Sequence, residues 1–154
     1  MSLSPTLRDR LRSQLEAVVT ILGGASPESV SRPSRGGKWS AHENLAHLAR
    51  HHEVMLERLR LILNEEGPHL SRYRAEDDPE WERWRALPVD EVLGLLRAQR
   101  EEIVRLVDSL DDEDLRRVGV HPVLGPLDVP EWLEFFLLHE GHHLYQAMLR
   151  AHGA

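Results

Sequence analysis

Three histidines lie within an apolar segment near the C-terminus, EWLEFFLLHEGHHLYQAMLR at residues 131–150. His139 and His143 are four residues apart, and a helix turns by about 100° per residue, so their side chains share one face. Two imidazoles at this spacing can bind one metal ion, as they do in zinc metalloprotease helices. His142 lies about 100° from His143 around the helix and is expected at a surface or an interface.

A second pair with the same spacing, His47 and His51, lies in KWSAHENLAHLARHHEVMLERL at residues 38–59. Catalytic zinc sites usually take three protein ligands and keep one position open, and metal sites in bundles are built from facing helices. One or both of these imidazoles can therefore complete the site. A lone histidine on a helix is more often structural or exposed, and His52, which falls in a leucine stripe, is expected to be a core residue bonded to a carbonyl. Two pairs on two helices favour a metal site over that reading.

Four amphipathic segments carry and position these histidines. Their apolar residues recur at alternating spacings of three and four, which is the pattern of a helix with one buried face. Two of the segments begin with a capping box, Ser40 with Glu43 and Asp128 with Glu131. The predicted helices run from Pro5 to Leu22, from about 41 to 65, from just after Pro88 to Leu110, and from Asp128 to about Ala151. The pattern predicts an all-α fold, a four-helix bundle formed by residues 1–154 as one domain.

The connections between these helices are rich in Gly, Pro, Ser and acidic residues. Residues 67–87 are expected to form an irregular connection with a short helical turn. The stretch VGVHPVLGPLDVP at 118–130 is expected to be a loop, because glycine and proline punctuate it. No run of residues predicts a β-strand.

Composition excludes several classes of protein. The 154 residues carry a net charge of -7, and the basic residues are scattered, which argues against a nucleic-acid binder. The chain has no cysteine, so it can form no disulfide, no thiolate nucleophile of its own and no cysteine-based zinc site. No stretch reads as a signal peptide or a membrane span, and the expected location is the cytoplasm.

The two histidine segments resemble those of the DinB/YfiT-like family. Residues 38–59 have a tryptophan, a helix start and then a histidine followed by leucine. Residues 121–150 have a G-x-L-x turn, an acidic helix start and the pattern H-x-x-H-H-x-x-Q. The resemblance covers nearly the whole chain and implies the bundle topology of that family, often as a homodimer.

The resemblance also implies a site and a chemistry. It implies a divalent metal ion, commonly nickel or zinc, bound by His47, His139 and His143, whereas His51 matches no ligand of the family. Relatives include thiol-dependent transferases that use bacillithiol or mycothiol, and a thiol-dependent isomerase. The leading hypothesis is therefore an enzyme that activates a low-molecular-weight thiol or water to act on a small-molecule substrate.

Two alternatives stay open from the sequence. In the first, the enzyme is a plain metal-dependent hydrolase that uses no thiol. In the second, the protein is a non-catalytic metal-binding or stress-response bundle in which the histidines hold a structural metal or none. If the protein is an enzyme, Glu43, Arg50 and Glu140 are candidates for groups that orient ligands or substrate.

Overall fold

Four helical stretches form a bundle, and short helices and one β-hairpin occupy the connections. The structure is a computed structural model and describes residues 3–153. None of the helices in this range is long and apolar enough to cross a membrane. The helices are α1 Pro5–Ser13, α2 Ala17–Leu22, α3 Pro27–Ser31, α4 Ala41–Asn64, α5 Trp81–Arg85, α6 Val89–Asp108, α7 Asp112–Leu115 and α8 Val129–Ala151; the strands are β1 Val118–His121 and β2 Gly125–Asp128.

The two histidine-bearing helices begin where their capping residues predict. At α4 the Ser40 hydroxyl accepts from the Glu43 backbone N–H at 3.0 Å, and the Glu43 carboxylate accepts from the Ser40 N–H at 2.8 Å. Asp128 and Glu131 make the same reciprocal pair at the start of α8. These bonds satisfy backbone donors that have no partner within the helix. The start points fix which side chains face inwards, and α4 packs against both α6 and α8.

The first predicted helix is not continuous, which corrects the expectation of one helix from Pro5 to Leu22. A 3-10 turn at Gln14–Glu16 separates α1 from α2. At this turn the Gln14 side-chain amide donates to the Leu137 carbonyl at 2.9 Å and to the Glu140 carboxylate at 3.0 Å, both on α8. The apolar pattern did not reveal the break because Leu11 before it and Val18 after it are both buried.

The expectation of a loop without strands at 118–130 is wrong. Strands β1 and β2 pair antiparallel, with His121 opposite Gly125, and Gly125 has a positive φ of 77° at the turn. Gly119 fits tightly against α4, because a Cβ at this position would lie 2.7 Å from Ile62 Cγ1. Strands of four residues that contain glycine or proline carry too little alternation to be recognised in the sequence.

The core has two apolar halves with a polar layer between them. One half is centred on Leu45 and Leu144, and the other on Leu59 and Phe136. In the layer that separates the two halves, each helical stretch supplies one polar residue. These residues are Gln14, His52, Arg100 and Glu140.

Hydrogen bonds join the members of this layer. The Arg100 guanidinium donates to the Glu140 carboxylate, to the Leu11 carbonyl at 2.7 Å and to His52 Nε2 at 3.3 Å. His52 Nδ1 donates to the Leu48 carbonyl at 2.7 Å, as expected for a core histidine. His52 is therefore neutral, and its 3.5 Å approach to Glu140 is not an ion pair.

Candidate metal centre

The three histidines implied as ligands meet between α4 and α8. His47 comes from α4, His139 and His143 come from α8, and their candidate ligand nitrogens all lie within 4.8 Å of one another. The Nε2 atoms of His47 and His139 are 3.1 Å apart. Two nitrogen ligands of a tetrahedral zinc ion, each about 2.0–2.1 Å from it, lie roughly 3.3 Å apart. The spacing of these nitrogens therefore suits a small divalent cation.

The protonation of the three rings also suits a cation. Burial, together with the neighbouring imidazoles, lowers the pKa of His47, His139 and His143 from 6.5 to about 3. At neutral pH the rings are uncharged, so each can present a lone pair to a metal ion. Three neutral ligands would leave a divalent ion its full charge.

Hydrogen bonding distinguishes His143 from the other two rings. Its Nδ1 lies 2.8 Å from the Asn44 side-chain oxygen, an acceptor, so Nδ1 carries the proton and Nε2 is left unprotonated. The Asn44 amide in turn donates to the Ser40 carbonyl at 2.9 Å. The first turn of α4 thus fixes both the tautomer and the orientation of this imidazole.

His47 and His139 have no comparable support. Within residues 3–153 each ring has only the other as a hydrogen-bond partner, and the Nδ1 atoms of both are buried without one. The two Nε2 atoms face each other 3.1 Å apart, and two neutral rings can share only one proton there, whereas a cation between them could be bound by both lone pairs. The residues present therefore fit a divalent metal ion.

The other two predicted histidines fall outside the group of three. His51 is buried and its ring centroid lies 4.1 Å from that of His139, but it does not join the three converging nitrogens. Its Nδ1 has no partner within the described part of the chain, and burial lowers its pKa well below 6.5. His142 is exposed, as the helical angle predicted.

An open cleft of about 810 Å³ leads to the three imidazoles. Trp39 and Tyr73 form its walls beside the site, with ring centroids 4.9 Å and 5.8 Å from that of His47. Phe135 and the hairpin residue Leu124 also line it. A small molecule can therefore reach the site through this cleft.

The connection between α4 and α5 is held in place by one carboxylate. Asp78 accepts from Tyr73 Oη at 2.8 Å and from Arg50 Nε at 2.7 Å. Burial and the bond to Asp78 raise the pKa of Tyr73, so it remains a neutral phenol. Arg50, a predicted helper, thus acts by fixing Tyr73 against His47.

The other two predicted helpers also serve the scaffold. Glu43 caps α4 and pairs with Arg85 at 2.7 Å. Glu140 is fully buried and bound by Arg100 and Gln14 in the polar layer. No hydrogen bond in the described range joins either carboxylate to the three imidazoles.

Comparison with known proteins places this arrangement in a family. The sequence model of the DinB superfamily matches residues 9–147, which include all three imidazoles. The chain belongs to the DinB superfamily. It is similar to two Oceanobacillus iheyensis proteins, both named "putative metal-dependent hydrolase". One is 29% identical over 76% of this chain and 67% of its own length, and the other is 29% identical over 85% and 78%.

Solved structures share the fold of this DinB protein. YfiT from Bacillus subtilis, described as a probable metal-dependent hydrolase with an unusual four-helix bundle topology, superposes with a TM-score of 0.76 at 24% identity. The match covers 97% of this chain and 89% of YfiT. TT2238, described as a four-helix bundle protein, superposes with a TM-score of 0.66 at 26% identity, over 92% and 94%. The predicted four-helix bundle with a DinB/YfiT-like topology is confirmed.

Sequence reasoning missed several residues of the DinB site. Asn44 carried a usable signal, because it lies three residues before His47 in the same helix and so on nearly the same face. Tyr73, Arg58 and His121 carried none, because the connections and the hairpin bring them to the cleft. Their placement depends on contacts between elements distant in sequence.

Proposed function

We propose that this DinB-superfamily protein is an enzyme that depends on a divalent metal ion bound by His47, His139 and His143, with nickel or zinc as the expected ion. The observation that carries the proposal is the convergence of three neutral imidazoles at an open cleft. The names of the curated relatives, metal-dependent hydrolases, agree with it.

The chain's own residues define what the site can do. A divalent ion held there would lower the pKa of a water or thiol ligand towards neutrality. Asn44 fixes the His143 imidazole, and the buried surroundings keep all three imidazoles neutral. Trp39 and Tyr73 limit the access of water beside His47 and leave the cleft as the route for a substrate.

We propose a nucleophile that comes from outside the protein. The chain has no cysteine, and no serine, threonine or carboxylate of the described range is hydrogen-bonded to the three imidazoles. Water is the nucleophile of a hydrolase. A low-molecular-weight thiol is the nucleophile that the resemblance to thiol-dependent transferases implies.

Metal analysis of tag-free protein tests the site. After loading with zinc or nickel and removal of free metal, wild type is expected to retain about one equivalent, and His139→Ala much less. His142→Ala is the matched control, since it removes a neighbouring exposed histidine and should retain the metal. Less than about 0.1 equivalent in wild type, or equal loss in both variants, would contradict the proposal.

An activity assay then separates the nucleophiles. Metal-loaded protein is offered activated esters and electrophilic substrates with and without added thiols, and His139→Ala serves as the inactive control. Turnover that requires a thiol supports a transferase, and turnover with water alone supports a hydrolase. A metal-loaded protein without activity under either condition would favour the non-catalytic alternative.

The homodimer and the cytoplasmic location implied earlier remain predictions. Gel filtration at micromolar concentration addresses the first. A single species of 17.7 kDa would contradict the dimer.

A further inference from the structure

Arg58 is a buried cation without an acidic partner. It is 6% exposed, and no ion pair of residues 3–153 includes it. Its guanidinium donates one hydrogen bond, to the Ser71 carbonyl at 2.9 Å, and packs 5.4 Å from the centre of the Trp132 ring. Burial lowers its pKa below the usual range of an arginine, and no carboxylate opposes the effect. An unpaired buried charge is costly, so this cation calls for an explanation.

His121 presents a hydrogen-bond donor in the same part of the cleft. Its Nδ1 accepts from the backbone N–H groups of Val123 and Leu124, at 3.1 Å and 3.0 Å, and is therefore unprotonated. The proton of the neutral ring lies on Nε2, which has no acceptor within the described residues. The His121 ring lies 5.5 Å from that of Trp132, the ring on which Arg58 packs. Both side chains line the cleft.

Arginines outnumber carboxylates among the residues that line the cleft. Arg72 and Arg74 line it at the surface, Arg74 pairs with Asp77 at 3.7 Å, and Glu76 is the one acidic residue among the lining residues. Arg58 lies eleven residues after His47 on α4, three turns later and so on nearly the same face. The two Cα atoms are therefore separated by about 16 Å along the helix axis. Phe135 and Leu124 supply apolar surface along the cleft.

We propose that Arg58 and His121 form a binding subsite for a carboxylate in the cleft that leads to the three imidazoles. A carboxylate accepts two parallel bonds from the planar guanidinium, and one negative charge balances one buried cation. The preferred ligand is then elongated, with a carboxylate at one end and the reacting or metal-binding group at the other. This inference rests on the proposed function, because it places that second group at the metal.

Metal-free full-length protein tests the subsite by itself, with octanoate as the probe and octanol as the neutral control. Calorimetry is expected to show that octanoate binds wild type, and about 10- to 100-fold more weakly to Arg58→Met. Arg58→Lys keeps the positive charge but loses the planar guanidinium that donates two parallel bonds, so its affinity for octanoate should lie between those of wild type and Arg58→Met. Arg60→Met is the matched control, because Arg60 lies on the same helix and pairs with exposed Glu102 at 2.6 Å; it should bind octanoate like wild type.

Cobalt-loaded protein tests the subsite together with the metal. Thiolate binding is followed through the near-ultraviolet charge-transfer band for mercaptooctanoate, mercaptooctanol, mercaptopropionate and mercaptopropanol. The long carboxylate is expected to bind about 10- to 100-fold more tightly than the long alcohol, and this advantage should vanish in Arg58→Met. The short pair should show a smaller difference, since mercaptopropionate has fewer methylene groups between its thiolate and its carboxylate.

The outcomes separate the two proposals. If every thiol gives the band but Arg58→Met binds octanoate and mercaptooctanoate as tightly as wild type, the carboxylate subsite is wrong and the metal chemistry stands. If no thiol gives a band but octanoate binding still depends on Arg58, the subsite stands and thiol activation is wrong. Should Arg58→Met fail to fold by circular dichroism, Arg58→Lys and His121→Phe carry the same test, and wild-type affinity in both would refute the subsite.

Discussion

Replacing Glu140 with glutamine is expected to destabilise the protein strongly, because the change leaves a buried arginine without its counter-charge. Glu140 is 0% exposed and Arg100 is 4% exposed. The carboxylate accepts from the Arg100 guanidinium and from the Gln14 amide, in the layer that separates the two halves of the core. Glutamine is nearly isosteric with glutamate, so the volume of the core is preserved and the perturbation is electrostatic.

The expected loss follows from burial. Breaking a buried ion pair by removing one partner costs about 3–5 kcal/mol. For a chain of this size, about 1 kcal/mol corresponds to roughly 2–4 °C, so the midpoint of thermal unfolding should fall by about 6–20 °C. Urea unfolding at pH 7 measures the free energy directly. The double variant Arg100→Met/Glu140→Gln should lose less than the sum of the single losses, since each single variant already removes the pair.

The exposed pair Arg10–Glu134 supplies the control. Its two bonds measure 2.6 Å and 2.9 Å, but its side chains are 41% and 42% exposed. Glu134→Gln makes the same chemical change on the same helix and should cost only about 0–1 kcal/mol. Equal losses in Glu140→Gln and Glu134→Gln would refute the argument that burial sets the cost.

Three further outcomes are expected. Burial lowers the pKa of His52 from 6.5 to about 3. Below pH 6.5 the His52 side chain therefore binds a proton in the unfolded chain but not in the folded one. The unfolding free energy of the metal-free protein should therefore fall as pH drops from 7 to 5, less steeply in His52→Gln, and a flat profile in wild type would contradict this. Asn44→Ala should weaken zinc binding about 10- to 100-fold in a chelator competition, because it frees the His143 ring; unchanged affinity would show that this bond does not support the site. Gly119→Ala should cost about 1–3 kcal/mol in urea unfolding, since its Cβ would meet Ile62. Gly94 is exposed within α6, and a Cβ added there would have no atom within 4 Å, so Gly94→Ala should stabilise the protein slightly. Equal effects of the two substitutions would argue against a clash between the Cβ added at position 119 and Ile62.

Local patterns predicted much of the fold. The capping boxes placed the starts of α4 and α8 correctly, because capping is an interaction between residues three apart. The break at Gln14 and the hairpin at 118–128 escaped prediction. The first depends on acceptors in α8, and the second on Gly119 packing against Ile62.

The sequence by itself determined that His139 and His143 share a face, since four residues of helix impose that geometry. Helical spacing alone left His47 and His51 equivalent as partners for them, because both fall on one side of α4, and the resemblance to the DinB/YfiT-like family implied His47. The packing of α4 against α8 brings His47 Nε2 to 3.1 Å from His139 Nε2, and His51 does not join that group of nitrogens. The same packing, with the hairpin and the connection after α4, placed Arg58 and His121 in one cleft. Contacts of this kind join residues that are distant in the chain, so local periodicity cannot predict them.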